Sequence, residues 1–145
     1  MTLVKDLMTK QVVYFFPNQS VLAAAKAMAT KKISCVIIID NEKNKKPIGI
    51  VTERDINQKI VAKNKLPSSV ILKEIMTSPV ITISQEVDFL KASNYMKEKG
   101  VRKMPVVENG KLVGIITQTD LLHASTGFIS KIADKVQQVI GKTKQ

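Results

Sequence analysis

The chain has 145 residues, 44% of them hydrophobic and 24% charged, the size and composition of one ordinary domain with a real core. Its 23 Lys and Arg against 12 Asp and Glu give a formal charge of +11, which points towards polyanions of some kind. A single cysteine, Cys35, excludes an intramolecular disulfide, and a single histidine, His123, leaves neither a His/Cys zinc set nor a confident Ser/His/Asp triad; no catalytic and no metal-binding residues are expected. No apolar run exceeds five residues, as at residues 12–16, far short of the roughly 20 that span a bilayer. Lys5 and Asp6 stand where an export signal would need apolar residues, so no membrane span and a cytoplasmic location are expected. Gly-rich phosphate loops and dinucleotide-binding glycine patterns do not occur.

In chain order, a β-type segment at residues 12–15 precedes Ser20, a good N-cap, and a helix with Val21, Ala25 and Met28 on its apolar side. Two strands follow, residues 35–39 and 47–51, joined by a polar, Lys-rich turn; Cys35, at the head of the first, reads as a small core residue. A second helix starts at Thr52, and Pro67-Ser68-Ser69 marks a linker. The same order then recurs: a β-type segment at 80–83, Asp88 as N-cap, a helix with Phe89, Leu90, Tyr95 and Met96, and strands at 104–107 and 111–116 around the hairpin signal Asn109-Gly110. A closing helix begins at Thr117; His123 reads as a polar helix residue and the methionines as packing. From Phe128, Ile129, Ile132, Val136, Val139 and Ile140 recur at helical spacing, which predicts a C-terminal amphipathic helix that packs on the module or on a partner chain and frays from Gly141.

The recurrence is a duplication. Lys5-Asp6-Leu7-Met8-Thr9 matches Lys73-Glu74-Ile75-Met76-Thr77 at an offset of 68, which also carries Val12 onto Val80, Leu22 onto Leu90, Ala24 onto Ala92 and Met28 onto Met96. After the turn at 41–46 the offset falls to 65, and Ile48-Gly49-Ile50-Val51-Thr52 meets Val113-Gly114-Ile115-Ile116-Thr117. An insertion confined to a turn is what two copies of one fold tolerate. The expected fold class is therefore α/β, in the α+β sense. It has two β-α-β-β-α repeats packed with pseudo-twofold symmetry (residues 1–66 and 67–126) and a C-terminal amphipathic helix (127–145). A unit of this size supplies only ~3–5 kcal/mol by itself, so the two must pack together. Runs such as Val36-Ile37-Ile38-Ile39 fit strands buried on both faces.

Each repeat ends on Thr-x-x-Asp: Thr52-Glu53-Arg54-Asp55 and Thr117-Gln118-Thr119-Asp120. The spacing is that of a helix capping box. It also presents, at a strand-to-helix junction, a carboxylate able to accept from two vicinal hydroxyls, beside a helix start that favours anions. The Met-Thr starts, the Ala/Met helices, the strand carrying Met104-Pro105-Val106-Val107 and the Gly-apolar-apolar-Thr-x-x-Asp endings together resemble a tandem pair of CBS domains, the Bateman module, over about residues 4–123.

That resemblance implies a stand-alone regulatory, non-catalytic module. It would sense adenosine-type ligands (AMP, ADP, ATP or S-adenosylmethionine) in the cleft between the repeats, as regulatory ligands rather than cofactors, pair into a homodimer and signal to an unidentified effector protein. The favoured pocket is built on Thr117 and Asp120, with Arg102 and Lys103 as cations and adenine against Val80, Ile81, Met104 and Pro105. The weaker one uses Thr52, Asp55 and Arg54 with Val12, Val13 and Ile37. Phosphate needs a cation or several backbone donors, and the cations differ between copies, so the pockets are not expected to be equivalent. The runner-up, suggested by the charge, is a nucleic-acid-binding accessory protein. It lacks a helix-turn-helix, RNP or zinc motif, and two Tyr and four Phe are few for base stacking.

Overall fold

The computed structural model describes residues 1–143, with side chains to Gly141; the Lys-rich end from Lys142, expected to fray, has its side chains outside the described residues. The elements are α1 (Val4–Leu7), β1 (Tyr14–Phe15), α2 (Val21–Lys31), β2 (Cys35–Ile39), β3 (Pro47–Thr52), α3 (Glu53–Ile56), β4 (Ile83–Ser84), α4 (Phe89–Lys99), β5 (Lys103–Glu108), β6 (Lys111–Thr117) and α5 (Gln118–Thr143). A π-type turn, Asn57–Val61, extends α3, and short 3-10 turns cover Pro67–Ser69 and Leu72–Glu74. No helix of the described residues is long and apolar enough to cross a membrane.

Two three-stranded sheets form, ordered β1-β2-β3 and β4-β5-β6, and in each the first strand is parallel and the third antiparallel to the middle one. Of the middle strands, β2 is buried from Val36 to Ile39 and β5 from Met104 to Val106. The first strands of each sheet are two residues long, shorter than the apolar runs that contain them, because only Tyr14–Phe15 and Ile83–Ser84 pair in register with β2 and β5.

Local chemistry explains the helices. Ser20 accepts a hydrogen bond from the Ala23 amide at 3.1 Å, and Asp88 one from Leu90 at 2.8 Å, satisfying first-turn donors that the helix itself cannot. The buried residues are equivalent in both copies: Val21, Ala24 and Met28 in α2, Phe89, Ala92 and Met96 in α4. Leu90, expected on the apolar side, is exposed, since the stripe falls on its neighbours. The hairpin turn between β5 and β6 has φ of 51° at Asn109 and 79° at Gly110, the left-handed pair that a two-residue turn demands.

The two cores are not made from consecutive chain. The core around α2 and β2 is completed by Val70, Leu72 and Ile75, and the core around α4 and β5 by Val4, with Leu7 and Met8 packed against it. Backbone pairing fixes the exchange. Thr9 and Ile115 bond reciprocally at 2.9 and 3.0 Å, and their counterparts Thr77 and Ile50 at 3.0 and 3.2 Å. Likewise Val4 donates to Val87 at 2.8 Å, while Leu72 donates to Gln19 at 2.9 Å. Each leading segment thus crosses to the other half. A Cβ on Gly49 would lie 2.5 Å from Sδ of Met76, and one on Gly114 the same 2.5 Å from Sδ of Met8, so the two Met-Thr segments sit where only glycine leaves room.

The closing helix and the C-terminal amphipathic segment, expected as separate elements, form one continuous helix, α5. Gly127 lies inside it with open space around its Cα, and a glycine in a helix interior costs about 1 kcal/mol without breaking it. Phe128 meets the Phe89 ring edge-on at 6.2 Å. From residue 126 to 141 every position is exposed, so the distal half of α5 is not folded into either core.

Candidate functional site

The crossing of the leading segments decides which residues meet. Thr9 is paired with Ile115 on β6, so Val12 and Val13, three and four residues further on, come beside the end of β6 instead of beside β3. There a cavity of about 560 Å³ opens between the halves, lined by Val12, Val13, Ser34, Cys35 and Ile37 from one repeat and Lys103, Ile115 and Thr117 from the other. Lys32 and Glu53 complete its rim, with Thr9 and Gln11. The size suits a small organic ligand, and the lining combines apolar walls with few polar groups.

β2 supplies the floor through alternation: Val36 and Ile38 enter the first core, while Ile37 between them lines the cavity. Ser34 lies just before β2, where its carbonyl accepts from the Glu53 amide at 3.0 Å and holds the start of α3. Across the cleft the Lys103 ammonium donates to the Ser34 hydroxyl, bridging the two repeats. Cys35 is half-buried here and not enclosed in a core. Burial pushes its thiol above the usual cysteine range, and the Lys103 charge opposes that rise.

At the cavity edge, Thr117 closes β6 and caps α5: its hydroxyl accepts from the Asp120 amide at 3.2 Å, and its amide donates to Oδ2 of Asp120 at 2.9 Å. Asp120 is partly buried, one turn along from Thr117. In the first repeat the box is the same but tighter. Oδ2 of Asp55 accepts from both the Thr52 amide and hydroxyl, at 2.9 and 3.1 Å, and Oδ1 pairs with Lys59 at 3.2 Å.

The structure therefore regroups the residues singled out from sequence. Thr117 and Lys103 share a cavity with Val12, Val13 and Ile37, which by sequence belong with Thr52. Arg102 does not accompany Lys103: neighbouring residues at a strand start face opposite ways, and Arg102 lies in an outer groove of about 540 Å³ between α4 and α5, beside Ser93, Lys97 and Leu121. Met104 is fully buried in the second core and Pro105 is buried in β5. Ile81 packs against the second core, and Val80 lines a smaller groove with Pro47, Pro79 and Val107. Arg54 is exposed on α3, while Thr52 and Asp55 are half-buried. Ser34 and Lys32 were not singled out, since nothing local distinguishes them from ordinary turn residues before the crossing of the segments is known.

Comparison with known proteins gives a coherent result. The family model described as the CBS domain matches twice, over residues 4–62 and 72–127. An uncharacterized Methanopyrus kandleri protein, MK0525, is 35% identical over 136 residues, covering 93% of this chain and 68% of that one. Among solved structures, the CBS domain pair of protein MJ0100, in complex with 5-methylthioadenosine and S-adenosyl-L-methionine, superposes with a TM-score of 0.76 at 31% identity, covering 88% of this chain and 98% of that one. A hexameric CBS-CP12 protein from bloom-forming cyanobacteria superposes with a TM-score of 0.75 at 30% identity, over 84% of this chain and 71% of the other.

Proposed function

The chain belongs to the CBS-domain family, as a tandem pair of its repeats, and from that premise we propose that it is a non-catalytic cytoplasmic sensor of an adenosine-type ligand. AMP, ADP, ATP or S-adenosylmethionine enters the cavity between the repeats, and the occupied cleft is read by an effector protein. The observation that carries this reading is a cavity in which apolar walls from one repeat face Thr117 and Lys103 of the other, with Asp120 held against Thr117 just beyond the lining. Val12, Val13 and Ile37 take the base, the free oxygen of the Asp120 carboxylate accepts from the ribose hydroxyls, and Lys103, with Lys32 at the rim, attends a phosphate. Arg102, Val80, Ile81, Met104 and Pro105 act as structural supports of β4 and β5 instead of as ligand contacts, and Thr52, Arg54 and Asp55 form the less accessible half. Regulation requires that the ligand prefer one arrangement of the halves, a tenfold preference corresponding to ~1.4 kcal/mol.

Calorimetric titration with AMP, ATP, S-adenosylmethionine and a single-stranded oligonucleotide, at two salt concentrations, tests the reading. Saturable binding of an adenosine compound is expected, with oligonucleotide binding weak and abolished by salt. No heat from any adenosine compound, with salt-resistant oligonucleotide binding, would overturn it in favour of the nucleic-acid reading. An independent check is alkylation of Cys35. Its raised pKa makes the thiol slower than a free cysteine at pH 8, with the rate climbing as pH rises towards that pKa; a ligand in the cavity slows it at least several-fold further.

The same proposal includes a homodimer. It is supported by the exposed apolar row Leu122, Ile129, Ile132 and Val136 on α5, from 47% to 64% exposed, since contiguous exposed apolar surface commonly marks an interaction site. Sedimentation velocity is expected to give the mass of two chains; a monomer across the concentration range would remove the dimer from the proposal.

A further inference from the structure

The two Thr-x-x-Asp motifs are related by the internal repeat, so each serves as the control for the other. Both use Oδ2 of the aspartate to receive the threonine amide, at 2.9 Å in each. They part at the second oxygen. Oδ1 of Asp55 is paired with the Lys59 ammonium at 3.2 Å, four residues along the chain, and the same ammonium donates to the Ile75 carbonyl at 2.8 Å. At the equivalent position of the second repeat stands Ala124, and Oδ1 of Asp120 has no hydrogen bond or ion pair among the described residues.

We propose that Lys59 is the resident occupant of the first motif, so that the chain takes one ligand, in the Thr117 and Asp120 half, and keeps the Asp55 half closed; this rests on the adenosine-ligand reading above. A vicinal diol needs a carboxylate with open acceptor positions. Asp120 offers them, whereas at Asp55 the Thr52 hydroxyl, the Thr52 amide and Lys59 already hold the carboxylate. The ammonium is not a loosely swinging surface group. Its second bond ties it to Ile75, a residue of the crossing segment that completes the first core. A ligand entering there must expel Lys59 from both partners, which lowers its apparent affinity by the fraction of time the site is open. The ammonium groups differ in the same direction, although Arg54 stands beside Asp55 where Thr119 stands beside Asp120. The residue equivalent to Lys103 is Cys35, and the residue equivalent to Lys32 is Gly100, so the closed half lacks the ammonium groups that flank the open one.

Calorimetry with AMP on five proteins tests this. The unaltered chain is expected to take one equivalent, Asp120→Asn to lose at least tenfold in affinity, Lys59→Met to gain a second equivalent, and the double variant to keep only that gained site. Lys59→Arg, which can remake the ion pair, is expected to stay at one equivalent. Two equivalents in the unaltered chain, or no gained site in Lys59→Met, would overturn the proposal. If AMP binds none of these proteins, the ligand reading fails and the lock is judged on its own by thermal melting. Lys59→Met and Asp55→Asn should then each lower Tm, with the double variant no lower than the worse single one. Additive shifts would show that Lys59 does not hold Asp55, and would overturn the lock.

Discussion

Asp120→Ala is expected to weaken binding of AMP by about 100-fold or more, the largest effect on ligand affinity of any single substitution in the cleft. Oδ1 of the Asp120 carboxylate has no hydrogen bond or ion pair among the described residues, and in the proposed pose the carboxylate accepts from both ribose hydroxyls. Hydrogen bonds to a charged acceptor are worth ~1.5–3 kcal/mol each, and two of them at ~1.4 kcal/mol per tenfold give a factor of roughly 100 to 10,000. Alanine also deletes the acceptor for the Thr117 amide, a helix-start bond of the kind worth ~0.5–2 kcal/mol. A melting curve must therefore accompany the titration. Asp120→Asn separates the two effects: its amide oxygen can still receive the Thr117 amide, while the charge is gone, so stability is retained and affinity falls less steeply. An Asp120→Ala protein with unaltered affinity for every adenosine compound would remove Asp120 from the site.

The largest effect on stability is expected from a residue that lies, by sequence, near the linker. Leu72→Ala should lower the free energy of unfolding by about 2–5 kcal/mol, the range for deleting a buried leucine side chain. Leu72 is wholly buried in the first core although it belongs to the stretch that introduces the second repeat. Against a total stability of ~5–15 kcal/mol for an ordinary domain, that loss is a large share. Urea denaturation checks it, and the form of the curve is as informative as the midpoint. Because each core is completed by a segment of the other half, both halves should unfold in one transition, in Leu72→Ala as in the unaltered chain. Ile116→Ala, at a fully buried position of the second core, should shift that same transition by a comparable amount. Two separated transitions, with Leu72→Ala moving only one, would contradict the coupling.

Much of this architecture is legible in the residues. The offset of 68 between Met8-Thr9 and Met76-Thr77 announces the duplication, and Ser20, Asp88 and Asn109-Gly110 mark caps and a turn that the structure contains. These are short-range signals, set by the hydrogen-bonding habits of a side chain or the φ of a turn. The pairing of Thr9 with Ile115 is not short-range. Two near-identical segments are each able, by pattern alone, to pair with the strand of either repeat, and only the packing of the whole decides between them. That ambiguity is why Val12 and Val13 group by sequence with Thr52, whereas the fold sets them by Thr117. Arg102 and Lys103 illustrate a second limit, since adjacent basic residues look alike in a sequence and diverge once β5 begins between them. Lys59 is a third: an i, i+4 ion pair is commonplace on helices, and its partnership with Ile75 comes only with the crossing segment.

The exchange of leading segments also bears on what a break in the chain would do. The stretch at residues 63–66 is exposed, with two lysines open to a protease. Cleavage there would yield one fragment carrying α1, which belongs spatially to the other fragment's core, and another carrying Leu72, which belongs to the first's. The pieces would hold each other as a complementing pair, with no covalent link needed to keep the cavity walls in place. The join between the halves is thus made twice, once by the covalent linker and once by the reciprocal insertion of the two leading segments.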